Sequence, residues 1–480
     1  MSQLAVRLEQ ILPRENFSSD FLERVAYSHD LAVLPRWLEG LYQQLPDLVV
    51  RPATVEQVAQ SLAWVQAERI PVVPRGRGTS ALGGAVPVRG GLMLDISSLD
   101  DILRVDGQEE SAWVQGGATW QQVAAAAKRE GLALRVEPTS SPAATVGGWI
   151  ANAGLGLGRG GVGIGSPKYG PIGENVFGLQ VVLPGGRVLE IPGKHLYRNE
   201  DFVGSDGILG VITAARLRLR RRPAAFAALS FQVPEGQALV EGMMLTSLVP
   251  ETLFAFFEDT QLNSFKQAAG LFCPADGNVV TVALDGDAGP VKDAVERLQA
   301  DWRSVGANYL GEDPSRRAWE ERYYPLRAKR AGPSLLAAEF AVPTVRLGGV
   351  LSACRSLGRR MHCRLGVHGT LARGECLVMP YILADEQATW DYLLASGVVG
   401  ALYDLAGHFG GKPYGVGLFN SFYAPQVHGS GLARLQALKR ELDPQRVMNP
   451  GKVLQHGTRY GWALPKTAYR LASGLFCALR

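Results

Sequence analysis

Hydrophobic and polar positions along the chain change their period at identifiable points. From Val55 to Ala67 apolar residues recur at helical spacing behind Thr54, a good N-cap with Gln57 three positions on. Leu92-Met93-Leu94-Asp95-Ile96 is a short apolar run that reads as a strand, as does Val176–Leu183, which Pro184-Gly185-Gly186 turns into Arg187-Val188-Leu189. Arg216-Leu217-Arg218-Leu219-Arg220 alternates with period two, the signature of a half-exposed strand. Strands and short helices alternate in this way up to about Leu219, while residues 1–45 read as flanking helices. After Arg222 the pattern is different. Strand-like Ala225–Val233 and Asn278–Leu284 alternate with helical Pro290–Val305 and Leu347–Met361, which suits a mixed sheet with helices on one side.

Between two of these strands lies Pro71-Val72-Val73-Pro74-Arg75-Gly76-Arg77-Gly78-Thr79-Ser80-Ala81-Leu82-Gly83-Gly84-Ala85. Glycine lets a backbone turn sharply and approach a ligand. Successive amides in such a turn form a concave anion site, to which Arg75, Arg77, Thr79 and Ser80 add donors. A diphosphate suits this loop. Gly76-x-Gly78-x-x-Ala81, with Asp95 beyond, matches a dinucleotide fingerprint, but that motif needs a helix directly after the turn. The glycines and proline of residues 82–91 exclude one, so the order is strand–loop–strand.

Charge and cysteine content narrow the function. A net charge of +4 is too balanced for general nucleic-acid binding, and the arginine run at 216–222 is explained by its strand. Five scattered cysteines, Cys273, Cys354, Cys363, Cys376 and Cys477, form no Cys-x-x-Cys or iron–sulfur series and suit a reducing cytoplasm. No secretory signal or long apolar run is present in the sequence. The expected location is cytoplasmic, with peripheral contact at the inner face of the membrane as an option through the C-terminal tail.

Four further blocks follow the glycine loop in order. They are Glu137-Pro138-Thr139-Ser140-Ser141 through Thr145-Val146-Gly147-Gly148-Trp149-Ile150-Ala151-Asn152, with a short helix expected at its end; Lys168-Tyr169-Gly170 with Asn175; Gly204-Ser205-Asp206-Gly207-Ile208-Leu209-Gly210-Val211-Ile212; and Asp443-Pro444-Gln445-Arg446-Val447-Met448-Asn449-Pro450-Gly451-Lys452. In this order they resemble the FAD-binding flavoproteins of the vanillyl-alcohol-oxidase/p-cresol-methylhydroxylase superfamily, in the branch of the glycolate oxidase flavoprotein subunit and D-lactate dehydrogenases. The resemblance implies an α+β fold: a two-subdomain PCMH-type FAD-binding domain over 46–224, a mixed α+β cap over 225–410, and a segment over 411–458 returning to the first domain.

It also implies FAD. Pro74, Arg75, Gly76, Arg77, Gly78, Thr79, Ser80, Gly83 and Gly84 would hold the pyrophosphate. Pro138, Thr139, Ser140, Thr145, Gly147, Gly148 and Asn152 would continue the cradle. Gly207, Gly210, Val211 and Ile212 would meet the adenine side, and Asn449 and Lys452 the isoalloxazine or ribityl chain. Some members attach flavin through a histidine of the first loop. No histidine lies between His29 and His195, so non-covalent FAD is expected.

Oxidation of a 2-hydroxy acid needs a cation for the carboxylate and a base for the hydroxyl proton. Trp319-Glu320-Glu321-Arg322 resembles the family's Trp-x-x-Arg, which makes Arg322 the carboxylate candidate. The branch brings two histidines and a Glu-His pair to a metal or base site. Here Gly366-Val367-His368-Gly369 keeps one histidine, and Gly411-Lys412-Pro413-Tyr414-Gly415 lacks both Glu and His. No metal is therefore assigned, and His368, Tyr414 or His408 remains to act as base.

The expected activity is hydride transfer from a small hydroxy acid to flavin, with electrons passed to a separate acceptor or redox partner subunit. The alternatives are a polyol or alcohol oxidase of the same superfamily and a flavin-carrying electron-transfer subunit without its own turnover. Two segments stand outside these blocks. Residues 154–165, with glycine at seven of twelve positions, read as an inserted loop. The acid-free, basic stretch 459–480 suits an amphipathic helix on an anionic membrane or a partner.

Overall fold

The computed structural model describes residues 3–32, 40–42, 45–152, 166–234, 236–465 and 467. The glycine-rich insertion 154–165 and, apart from Thr467, the tail from Lys466 onward lie outside the described residues. The chain divides into two units, one formed by 1–163, 172–221 and 415–466, the other by 164–171, 222–414 and 467–480.

The first unit holds two sheets. One has the order Phe17–Ser18, Leu48–Val50, Leu92–Asp95, Val72–Arg75, parallel except for its first strand. Parallel neighbours need a crossover. The helix Val55–Glu68 supplies it, capped by Thr54, whose side chain accepts from the Gln57 amide. Its Val58, Leu62 and Val65 are buried among Val50, Val72 and Leu94. Each such side chain gains about 1.5–3 kcal/mol on burial. Residues 76–91 form no helix and lead straight into Leu92–Asp95, as the glycine content requires. At the far edge the return segment adds to this sheet. Val72 bridges Met448 in parallel, donating to Val447 O at 2.9 Å while its own carbonyl accepts from Asn449 N at 2.7 Å.

The second sheet of this unit is antiparallel, in the order Ile102–Asp106, Ser111–Gln115, Val211–Arg221, Val176–Val182, Val188–Ile191, with Leu132–Leu134 on the end of Val211–Arg221. The arginine alternation is a strand, as expected. Leu217 and Leu219 are buried, and Arg216 and Arg218 lie over the Phe177 ring at 5.3 and 3.9 Å. The expected short helix of the second block is Val146–Asn152.

The second unit is built on one nine-stranded sheet, in the order Asn308–Tyr309, Ala225–Val233, Asn278–Gly286, Thr252–Glu258, Leu365–Leu371, Glu375–Ala384, Phe340–Pro343, Lys412–Pro413, with Ser334–Ala337 also on Glu375–Ala384. Every one of its described pairings is antiparallel, so the sheet is not mixed as the pattern suggested. Runs of apolar residues do not reveal strand direction. The helices Gln237–Ser247, Ala288–Ser304, Leu347–Arg360 and Thr389–His408 pack on one another in a layer, with Gly242 seated on Trp302. The shorter Thr260–Ala268 and Glu312–Glu320 also reach the sheet, at Gly366 and Ser230, so helices are not confined to the expected set. Lys412–Pro413 pairs with Phe340–Ala341 and belongs to this sheet. The return to the first unit begins at residue 415 rather than 411.

Candidate functional site

The first unit gathers the expected cofactor residues around the loop after Val72–Arg75. The amides of Arg77, Gly78, Thr79, Ser80 and Ala81 meet no protein acceptor among the described residues. Backbone donors normally find a partner, and five in succession on a glycine-bent path make an anion receptor. Gly78 has φ +63° and lies against the Arg75 guanidinium, 2.3 Å from where a Cβ would stand. That guanidinium is held within the unit: Nη1 donates to His29 O at 2.8 Å, and it lies 5.3 Å over the Tyr27 ring. Tyr27 in turn donates to Asp95 Oδ2 at 2.5 Å.

The second block abuts the first. A Cβ on Gly76 would come 2.1 Å from Thr145 Oγ1, and Gly148 N donates to that same oxygen at 3.3 Å. Gly147 N is bound by Gly116 O at 2.8 Å, and a Cβ there would meet Ile212 O at 2.7 Å. These two glycines thus let a helix start, a turn and a strand start pack together, beside any contact with a ligand. Gly210 does the same against Val182 O, and Val211 and Ile212 are buried at the head of their strand. Gly207, at φ +70°, packs on Pro74. Pro138 is buried and closes a turn onto Ser141, with Thr139 and Ser140 half-buried beside it. At Gly84 a Cβ would find only Asp206 Oδ1 at 3.7 Å and Asn152 Nδ2 at 4.0 Å, and Gly83 is fixed by Leu418 and Phe419.

The return segment ties these loops together. Asn449 Nδ2 donates to Asp206 O at 2.7 Å and Gly84 O at 3.1 Å. Lys452 Nζ donates to Asn449 Oδ1 at 2.7 Å and Val86 O at 2.6 Å. Asp206 accepts from Asn152 Nδ2 at 2.9 Å and Gly417 N at 2.9 Å, and Asn152 reaches Ser80 Oγ at 3.4 Å. Burial pushes Lys452 down to about 7 and Asp206 up to about 6, and raises Asp30. Asp443 shapes the segment, accepting from Val447 N, Met448 N and Lys439 Nζ. Asp206 and Asp30 carry no assignment from the sequence. Asp206 lies inside a quoted block, but nothing local marks its side chain as a tie between loops.

In the second unit Arg322 and His368 line one pocket with Glu258, Lys266, Glu321 and Arg327. The Arg322 guanidinium stacks on Trp319 and Tyr323, 3.8 and 4.1 Å from the ring centres, and donates to Trp319 O at 2.9 Å and Tyr323 OH at 2.5 Å. His368 is buried in its strand, stacked on Phe256, with Nε2 3.3 Å from Thr370 Oγ1 and Nδ1 4.0 Å from Glu258 Oε1. Burial lowers its pKa to about 4, against the pull of Glu258. Glu258 and Lys266 pair at 2.5 Å. Neither stands in a motif, and only the sheet brings them to His368. Tyr414 is buried elsewhere, directly after the edge strand Lys412–Pro413, where its amide donates to Glu339 O at 2.8 Å. His408 ends the helix Thr389–His408, its Nδ1 2.8 Å from Asp404 O, and does not line the Arg322 pocket. Among the described residues no three His, Cys, Asp or Glu side chains converge as metal ligands, and no helix is long and apolar enough to cross a membrane.

The class of the protein, an FAD-dependent oxidoreductase, follows from what its two units match. Residues 46–192 match the FAD binding domain family and residues 226–453 the family of FAD linked oxidases, C-terminal domain. The chain belongs to the FAD-linked oxidases. It is 27% identical to glycolate oxidase subunit GlcD of Bacillus subtilis over 474 residues, covering 94% of this chain and 97% of the relative. It is 24% identical to a probable mitochondrial D-lactate dehydrogenase of Danio rerio, covering 85% and 84%. In fold it is similar to p-cresol methylhydroxylase (TM-score 0.76, 16% identity, 94% and 96% covered) and to alkyldihydroxyacetonephosphate synthase (TM-score 0.75, 20% identity, 94% and 86% covered).

Proposed function

We propose that this flavoenzyme oxidises a small 2-hydroxy monocarboxylate and passes the electrons to a separate acceptor. The observation that carries the reading is the pocket around Arg322. Its charged lining is three cations, Arg322, Lys266 and Arg327, against two carboxylates, Glu258 and Glu321, a surplus of one positive charge. That surplus suits one carboxylate. The Arg322 guanidinium, 3.8 and 4.1 Å from the centres of the Trp319 and Tyr323 rings, is held in place by them, and an anion would meet it there. The relatives named glycolate oxidase subunit and D-lactate dehydrogenase support the same substrate class, and the word subunit in the first supports a separate acceptor.

The first unit's amides from Arg77 to Ala81, which meet no protein acceptor among the described residues, would receive the cofactor's diphosphate, with Asn449 and Lys452 holding the loop edge in place. When bound, FAD supplies the two-electron acceptor. Arg322 orients the substrate, and the apolar walls Phe256, Leu271, Phe272 and Pro274 limit water.

The test is Arg322→Met, read by anaerobic flavin bleaching with a panel of hydroxy acids and neutral alcohols. Loss of a charged hydrogen-bonded pair costs about 2–5 kcal/mol of substrate binding, so KM rises steeply while FAD content is unchanged. Arg322→Lys recovers only part. Equal bleaching by hydroxy acids in wild type and Arg322→Met would sink the carboxylate reading, and bleaching by alcohols alone would move the assignment to a neutral donor.

A further inference from the structure

Arg75 and Asp95 end two neighbouring parallel strands and stand opposite each other in register. Such strands lie about 4.8 Å apart, and the two side chains carry opposite charge. Yet among the described residues neither is in an ion pair. Tyr27 engages both instead. Its hydroxyl donates to Asp95 Oδ2 at 2.5 Å, and the Arg75 guanidinium lies 5.3 Å over the centre of its ring. The other oxygen, Asp95 Oδ1, accepts from Ser97 N at 2.8 Å, so both oxygens of this buried carboxylate are taken.

Arg75 is thereby left to the cofactor loop. Its Nη1 is anchored on His29 O at 2.8 Å, while Nε and Nη2 meet no protein acceptor among the described residues. The same guanidinium lies against Gly78, amid the five loop amides that also meet none. The stretch from Tyr27 to Leu31 holds the loop's main chain as well. Leu31 N donates to Ser80 O at 2.9 Å, and buried Asp30 accepts from Ala85 N at 3.3 Å. This stretch precedes residue 46, where the match to the FAD binding domain family begins.

We propose that Tyr27 is a positioning residue for FAD: by holding Asp95 in a hydrogen bond, it keeps the charge of Arg75 available to the cofactor's diphosphate. It acts through Arg75 rather than on the cofactor itself. The inference rests on FAD binding and not on the identity of the substrate. Asp95 and Asp30 are the carboxylates whose charges act on Arg75. Asp30 is held by the amides of Ala32 and Ala85. Asp95 is held on Oδ2 by Tyr27 alone. Without that hydroxyl a buried carboxylate oxygen loses its donor, which is costly. The cation beside it in register is Arg75, while Arg77 is exposed on the loop. Pairing with Asp95 would neutralise the guanidinium and draw it from Gly78, and the diphosphate would meet the loop amides without it.

The experiment measures FAD release from diluted holoenzyme, by flavin fluorescence, in wild type, Tyr27→Phe, Asp95→Asn and the double variant. Tyr27→Phe keeps the ring beside Arg75 and removes only the hydroxyl. One charged contact is lost, so the Kd for FAD should rise roughly 10–100-fold. Asp95→Asn still offers Tyr27 an oxygen and leaves Arg75 without a competitor, so its Kd should stay within ~3-fold of wild type. The double variant removes the competing charge along with the hydroxyl, and its Kd should also return to within ~3-fold. Loss of packing alone would not be rescued in this way. A Tyr27→Phe Kd within ~3-fold of wild type overturns the proposal. So does a double variant as weak as Tyr27→Phe, or an Asp95→Asn loss equal to that of Tyr27→Phe. If Tyr27→Phe retains no FAD on purification, the double variant decides: FAD retained there supports the proposal, and FAD absent overturns it.

Discussion

Asn449 is the joint on which the cofactor loop depends, and its removal can be quantified. Its side chain donates to the carbonyls of Gly84 and Asp206 and accepts from Lys452, at 3.1, 2.7 and 2.7 Å, in a site 1% exposed. Asn449→Ala leaves one buried and one half-buried carbonyl and a buried ammonium short of a partner. Each such group costs about 1–3 kcal/mol. Lys452 still donates to Val86 O, and a small cavity can admit water, so the lower end applies and the sum is about 3 kcal/mol. Asn449 also has φ +40°, where alanine adds roughly 1 kcal/mol of strain and glycine adds none. The expected order of destabilisation is therefore Asn449→Ala at about 4 kcal/mol and Asn449→Gly at about 3. FAD affinity should fall at least ~10-fold in both, since 1.4 kcal/mol lost from loop positioning is tenfold. Urea unfolding of the apoprotein and calorimetric FAD titration measure the two effects. An alanine variant within ~0.5 kcal/mol of wild type, the range of an ordinary surface change, with unaltered FAD affinity would refute the reasoning.

Two further outcomes are expected. Acid precipitation should release all FAD into the supernatant, because no histidine lies in the loop to attach it; yellow colour retained in the pellet would contradict this. His368, His428 and His456 are each held near pKa 4 by burial, below the unfolded value of about 6.5. Their contribution to stability is complete above about pH 6.5 and is lost as pH falls toward 4, because the unfolded chain then binds protons that the folded chain does not. Histidine NMR signals that stay neutral from pH 8 to 5 would fit, and a titration midpoint near 6.5 at all three would not.

Much of the cofactor unit was legible from the chain because its determinants are local. Thr54 capped its helix, Pro184-Gly185-Gly186 made its turn, and the glycines after Pro74 excluded a helix and left a looped path. The blocks also arrive in one neighbourhood, as Gly76 against Thr145 and Asn449 against Gly84 show. Strand direction was not legible, and the second unit's sheet proved antiparallel throughout its described pairings. Nor was the pairing of Lys412–Pro413 with Phe340–Ala341, which moved the boundary to residue 415. The chemistry of that sheet was the hardest to read. Glu258 and His368 are far apart in sequence, and only register sets them side by side.

The bridge between Val72 and Met448 has a consequence for how the protein is made. Residue 72 emerges early from the ribosome, but its edge partner and the Asn449–Lys452 tie come only after residues 222–414 of the second unit have been synthesised. Until then the parallel sheet has an unpaired edge, and such edges invite pairing with other chains. The nascent cofactor loop is therefore open to such pairing until the return segment arrives. Completing it is among the last steps of folding, and competence to bind FAD doubles as a report that translation has run through to the return segment.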